Sequence, residues 1–314
     1  MFNFFTPEQK KLNAEAKAST LVGDARGRSL WQDTVRRFKK NKLAVVCVYF
    51  LLILALISIA TLVIDAATNN AFYDQNVINH DLRNRLAPPS AEHFFGLDEF
   101  GRNIFLRVLW GTRYSLFMGM LSVMFAALLG GILGSISGYY GGRIDHIIMR
   151  VMDVLMAMPA ILLAIAIVAA LGSGLTNVLI AIAASFVPNF ARVVRAAVMT
   201  VRDQEFVEAA SAVGASDLRI ITEHILPNAL APIIVQATLS VASAILFLAS
   251  LSFLGLGIQP PAPEWGAMLS SARIYLRDAW HIAVFPGLAI MLTILALNIV
   301  GDGLRDALDP KLKN

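Results

Sequence analysis

From Leu43 to Ile64 the chain carries no charged side chain, and it returns to that pattern five more times. Charge-free runs follow at Tyr114–Tyr140, Val154–Leu171, Leu175–Ala191, Ala229–Leu256 and Ile282–Val300. A helix rises 1.5 Å per residue, so roughly 17–25 apolar residues cross the ~30 Å of bilayer hydrocarbon. The pattern therefore predicts an all-α integral membrane protein with six transmembrane helices. Leu175–Ala191 is the weakest of the six, being short and carrying Asn177 and Asn189. Composition excludes the soluble alternative. The chain is 57% hydrophobic and 15% charged with a mean hydropathy of +0.66, whereas soluble domains carry about 25% charged residues.

Lys and Arg set the orientation, because cytoplasmic loops are enriched in them. Residues 1–42 hold ten of the 26, ending in the Arg36–Lys42 cluster. With six spans, the segments 141–153, 192–228 and 301–314 fall on the same side, and these inside segments together hold 19. The outer loops share seven, interspersed with acids. Both termini are thus expected in the cytoplasm. The net charge of +4 is accounted for by these loops and calls for no nucleic acid. The polar stretch before Leu43 is too long for a cleavable leader, so the first span is expected to act as the insertion signal. Cys47, the one cysteine, lies inside that span and can form neither an intrachain disulfide nor a cysteine metal cage.

This reading divides the chain into a cytoplasmic tail (1–42), a first transmembrane helix (43–64) and a periplasmic loop (65–113). A five-helix core (114–304) follows, with a cytoplasmic loop at 199–228 and a periplasmic loop at 257–281, and a tail (305–314) ends the chain. In the N-terminal tail, Trp31, Val35 and Phe38 have helical spacing beside basic residues. That fits an interfacial amphipathic helix, with a disordered basic tail as the alternative. Gly130, Gly134 and Gly138 recur every four residues in the second span, a spacing that lets helix backbones approach closely. Pro159, Pro188, Pro232 and Pro286 interrupt or start spans.

The 199–228 loop carries the most information. Phe206, Ala210 and Val213 share a helical face, with Glu205 and Glu208 off it. Gly214 stops this helix, as glycine does at C′. Ser216 can cap a second helix whose Leu218, Ile221 and Ile225 share a face, and Pro227 is expected to end the unit. Nothing in the loop pairs a nucleophile with a base or gathers metal ligands. It offers a docking surface tied to two spans.

Glu208-Ala209-Ala210, then Gly214, then Leu226-Pro227, resembles the EAA loop of binding-protein-dependent ABC importers. His224 stands where that family usually has isoleucine. Three further stretches, His93–Asn103, Leu251–Gly266 and Gly301–Pro310, closely resemble the second permease subunit of the dipeptide/oligopeptide/nickel importer family. The resemblance runs from about Trp31 to the C-terminus. It implies the type I ABC importer permease fold, with Glu205, Glu208, Ala209, Ala210, Gly214, Ala215 and Asp217 forming a coupling helix in a cleft of an ATPase subunit. It further implies a homologous second permease subunit, two ABC ATPase subunits holding ATP and Mg, and an extracytoplasmic substrate-binding protein. Cargo would be short peptides, with glutathione or a nickel chelate as alternatives.

Polar residues in spans mark pathways, which singles out Asn189, Gln236 and Ser240 as a candidate translocation path. Ser185, Ser243, Asn298, Arg192 and Arg195 are secondary candidates, and interhelical hydrogen bonding is the competing role. Beyond the fifth span, Trp265 and Met268 lie on one helical face with Arg273 further along. They form a candidate contact for the binding protein, or a membrane-surface anchor. Asp98, Glu99 and Arg102 read as a structural cluster orienting the second span. Asp302, Arg305, Asp306 and Asp309 read as intrachain pairs or an ATPase contact. No Gly-Lys pair occurs anywhere, so the chain has no P-loop and is not expected to be an enzyme. Histidines at 80, 93, 146, 224 and 281 are scattered, so no metal site or cofactor is expected in this chain. An ion-coupled secondary transporter would need ionisable groups at mid-span, and the runs have none.

Overall fold

The structure, a computed structural model, describes residues 30–308, with side chains from Asp33 onward. Among these residues it is all helical apart from one isolated bridge, Leu97 to Asn103. The helices are α1 (Leu30–Lys40), α2 (Lys42–Ala67), α3 (Ala71–Asn76), α4 (Ile104–Tyr140), α5 (Gly142–Met156) and α6 (Ala160–Leu171). They continue with α7 (Leu175–Arg202), α8 (Glu205–Ala212), α9 (Leu226–Phe253), α10 (Trp265–Ala272) and α11 (His281–Leu308). Four of these, α2, α4, α7 and α11, are long and apolar enough to cross a membrane, as is the continuous stretch Asp217–Phe253.

The sixth crossing differs from its expected form. Val154–Leu171 is not one helix: α5 and α6 meet at 86°, and they make a single span only as a broken pair. Pro159 stands at the joint, at the N-cap of α6. A proline disfavours helical conformation in the residue before it and has no N–H to continue the ladder. Alone, α6 is only about 18 Å long.

The second span also starts earlier than its apolar run. Asn103 caps α4 by accepting the Leu106 N–H. The helix is about 55 Å long, so its first turns stand outside the hydrocarbon. Trp110 and Arg113 on those turns are held by the end of α2, and Arg107 by the outer loops. Trp110 Nε1 donates to Asp65 at 3.1 Å, Arg113 pairs with the same carboxylate, and Arg107 Nη1 donates to the carbonyls of Val77 and Pro261.

The bundle is centred on α4 and α7. A Cβ on Gly130 would lie 2.5 Å from Phe190 Cβ, and one on Gly138 would lie 2.9 Å from the Arg195 carbonyl oxygen. The glycine stripe therefore seats α7 directly on the α4 backbone, as its spacing predicted. Around this pair, Met118, Val123, Ile182, Phe190, Leu248 and Leu251 belong to the main core.

The N-terminal helix is present over Leu30–Lys40. Phe38 reaches the C-terminal end of α11 beside Gly303, while Val35 is exposed; the side chain of Trp31 lies outside the described ones. Asp302, Arg305 and Asp306 are exposed and form no ion pair with a described residue, so of the two readings given for them the pairing is not seen among these three. Asp309 lies outside the described residues.

Candidate functional site

The cytoplasmic loop is built from the ends of α4 and α7. Arg202, the last residue of α7, donates from Nη1 to the carbonyls of Gly138 and Tyr139 at 3.0 and 3.3 Å. From there the chain enters α8. On this helix the buried edge is Val207 with Ala210 beside it, packed among Val194, Val198, Ile220, Ile225 and Tyr139. The expected face of Phe206, Ala210 and Val213 is thus corrected. Only Ala210 faces inward, because α8 packs its 207/210 edge chiefly on the turn Ile220–Ile225, which turns Phe206 and Val213 outward. Val213 is 85% exposed and Leu218, expected on a shared face with Ile221, is 72% exposed. Glu205, Glu208 and Ala209 are exposed beside them.

Gly214 ends α8 with φ +83°, in the left-handed region. Its N–H donates to Ser211 O at 3.0 Å and the Ala215 N–H to Ala210 O at 3.1 Å. This is a Schellman closure, and it satisfies carbonyls that the helix end would leave unpaired. Beyond it, Asp217 accepts a 2.8 Å hydrogen bond from the Tyr139 hydroxyl, tying the loop again to α4. Ser216 occupies the cap position through its carbonyl, which accepts from Ile220 N, and its hydroxyl makes no cap bond.

Pro227 does not end the unit. A π-helical turn, Ile220–Ile225, precedes it and runs without interruption into α9. The wider turn accommodates a residue that cannot donate to the carbonyl four positions back. His224 is half-buried, and its carbonyl accepts from Asn228 Nδ2 at 2.7 Å. The loop is therefore an exposed apolar knob (Phe206, Val213, Leu218) with acids beside it, continuous with α7 and hydrogen-bonded to the end of α4. Among the described residues no three His, Cys, Asp or Glu side chains are placed to hold a metal.

Residues 130–314 match the family described as the inner membrane component of binding-protein-dependent transport systems. The chain belongs to that family. Residues 29–89 match the N-terminal transmembrane domain of oligopeptide transport permease C. Among curated relatives, the dipeptide transport system permease protein DppC of Alkalihalophilus pseudofirmus is 50% identical, covering 91% of each chain. The glutathione transport system permease protein GsiD of Escherichia coli is 47% identical over 96% of this chain and 97% of that one. Two solved structures share the fold at low identity. The MetNI methionine ABC transporter, in inward-facing conformations, matches with a TM-score of 0.53 at 18% identity, covering 66% of this chain and 98% of that one. An amino acid ABC transporter matches at 0.51 and 15%, covering 64% and 94%. The protein is an inner-membrane, multi-pass permease subunit with the type I importer fold, and it acts as a transport component.

In the permease the remaining candidate residues are dispersed. Asn189 is exposed on α7, next to Pro188, whereas Ser240 is buried and accepts the Gln236 amide at 3.1 Å. Ser185 is buried and bonds its own helix at Ala181 O. Asn298 and Ser243 are exposed.

At the outer mouth Trp265 is fully buried and Met268 nearly so, in a cluster with Ile104, Ala249 and Ile282. Trp265 Nε1 donates to Val108 O at 3.0 Å. Both therefore hold α10 against α4 and present no surface to a partner. Arg273 is exposed, with Ile274, Leu276 and Trp280 exposed near it.

The Asp98 cluster is buried. Arg102 Nε meets Asp98 at 2.7 Å, Arg107 Nε meets it at 3.3 Å, and Arg102 reaches Glu99 at 3.4 Å. Burial, then the neighbouring Asp98, push the Glu99 carboxyl above its ordinary range. Sequence reasoning passed over Glu264, which is wholly buried. Its carboxylate accepts from Ser115 Oγ and from the Gly266 and Ala267 N–H groups at the start of α10. Burial raises its pKa against those N–H bonds. The available signal was a lone acid before Trp-Gly, the position of a helix cap.

Proposed function

We propose that the permease is the translocation subunit of an ATP-driven, binding-protein-dependent importer of short peptides. The observation that carries this is the coupling knob of Phe206, Val213 and Leu218 with Glu205 and Glu208. It is exposed to the cytoplasm, continues directly from α7, and is hydrogen-bonded through Arg202 and Asp217 to the end of α4. An apolar projection of this kind fits a cleft on a partner, and its attachment conveys movement of that partner to the spans. Of two ATPase subunits holding ATP and Mg, one takes Glu205, Glu208, Ala209, Ala210, Gly214, Ala215 and Asp217 from this chain, and a homologous permease gives the matching loop to the other. Closure of the ATPases draws the two loops together and opens the outer mouth, and hydrolysis resets it. This chain supplies no catalytic group to that cycle.

The external binding protein docks at the outer mouth on Arg273 and its exposed neighbours, which Trp265 and Met268 support from beneath. Asn189, Gln236 and Ser240 flank the path. The dipeptide relative favours short peptides as cargo, and the glutathione relative favours a second reading with the same architecture. The test is native mass spectrometry of the complex from its own membranes. Recovery of a second permease, two ATPases and a peptide-loaded binding protein is expected. Glutathione in the binding protein would replace the cargo, and a chain that purifies alone and still transports would overturn the reading.

A further inference from the structure

From Ala181 to Ala191, α7 is enclosed on almost every side, and the exposed side chain in that stretch is Asn189. The same face continues through Arg192, Ala196 and Met199, all exposed and three or four residues apart. Arg192 is about 25 Å along the helix from its outer start at Leu175, one residue past the charge-free run, which places it at the inner end of the span. Arg192 Nη2 meets Asp153 of α5 at 2.6 Å, and both side chains are 49% exposed. An ionised pair facing lipid at that depth is costly, whereas one lining a water-filled passage is not.

The pair opens into a cleft of about 590 Å³ lined also by Asp145, His146, Met149, Arg150 and Arg195. Its two rungs are unequal. Arg195 grips Asp145 with two 2.6 Å bonds, and Asp145 also accepts from Ser137 of α4. Asp153 and Arg192 share a single bond, and the nearby Arg150 is exposed with no ion pair to any described residue.

We propose that this cleft is an exit subsite for zwitterionic peptides. Arg192 and Arg150 receive the free C-terminal carboxylate, Asp153 receives the ammonium, and the fixed Asp145–Arg195 rung holds α5 in place meanwhile. An exposed, singly bonded ion pair is weak, so the ligand's two charges replace it at little cost. Three arginines stand against two carboxylates in the cleft, so it draws a carboxylate, and Asp153, parted from Arg192, meets the amine of the same ligand. The proposal rests on the peptide-import reading and gives it a required chemistry, a free carboxylate with a free amine.

The test uses the whole complex in proteoliposomes, with a dipeptide and its C-terminal amide as parallel substrates. Arg192→Ala is expected to lower the maximal uptake rate of the free dipeptide about tenfold more than that of the amide, the scale of one lost charge-assisted hydrogen bond. The concentration for half-maximal uptake, set outside, stays unchanged, and Arg192→Lys restores most of the rate. An equal loss for both substrates would make the pair a structural latch and overturn the proposal. A loss that follows the anionic lipid content of the vesicles instead of the peptide terminus would make the cleft a headgroup site, with the same consequence. Failure of the unmutated complex to move either substrate would remove the peptide reading itself.

Discussion

A Cβ on Gly134 would stand 2.5 Å from the carbonyl oxygen of Ala191, so α4 and α7 meet backbone to backbone at that level. The obstacle is main chain and cannot rotate away. Gly134→Val should therefore destabilise the bundle by at least about 1–3 kcal/mol, the usual cost of overpacking. Thermal unfolding of the purified complex in detergent measures it. Gly131→Ala is the control, since nothing lies within 4 Å of a Cβ there, and a matching loss in that variant would refute the argument.

Gly214 presents the opposite case. A Cβ there meets open space, and only its φ of +83° opposes a larger residue, at a cost of about 1–2 kcal/mol. Gly214→Val should leave membrane insertion intact and abolish uptake, because it re-aims the knob. Cell fractionation with a transport assay separates the two, and unimpaired uptake would count against the loop as coupling element.

Phe206→Ala and Leu218→Asp alter exposed side chains, so stability should change by no more than about 0.5 kcal/mol. Recovery of ATPase subunits with the tagged permease should nevertheless fall at least severalfold. Full recovery would place the docking surface elsewhere.

Arg102→Ala would leave the buried Asp98 with Arg107 as its one cation, beside the backbone N–H groups of Phe100 and residue 102. Removing one member of a buried pair typically costs about 3–5 kcal/mol. The outer loop around residues 77–103 should become sensitive to protease added outside spheroplasts, with Arg102→Lys intermediate. Unchanged resistance in the alanine variant would mean that Arg107 alone suffices.

Glu264 supplies a pH signature. Its folded-state pKa is raised by burial, so the folded outer mouth binds a proton more readily than the unfolded chain. The stability this contributes is fully present below the ordinary glutamate range, near ~4.3, and is lost as pH rises through the raised value. Thermal stability followed by tryptophan fluorescence should therefore improve from neutral pH toward that range, and Glu264→Gln should flatten this part of the profile. A variant that keeps the full slope would show that another group is responsible.

Much of this protein was legible without coordinates, because a bilayer imposes its thickness on sequence directly. Apolar run length located α2, α4, α7, α9 and α11, lysine and arginine oriented them, and four-residue glycine spacing announced a close helix contact on α4. The EAA-like residues and Gly214 marked the loop that projects from the ends of α4 and α7. Those features are local: each depends on neighbours along one helix and on the solvent outside it.

What local pattern could not decide was which side of a short helix faces the rest of the fold. Phe206 and Val213 looked like a packed face, yet Val207 is the residue that packs, because the Schellman turn brings the Ile220–Ile225 turn back against that edge of α8. Trp265 and Met268 looked like a surface and became core, since α4 extends three turns past its apolar run and α10 closes over it. The 86° break beside Pro159 and the pairing of Asp153 with Arg192 likewise depend on where separate helices are brought together. Run length, charge bias and glycine spacing were fixed by the sequence alone. Which polar and apolar side chains face inward was decided only by tertiary packing, because a helix has two sides and its own residues do not say which neighbour it will meet.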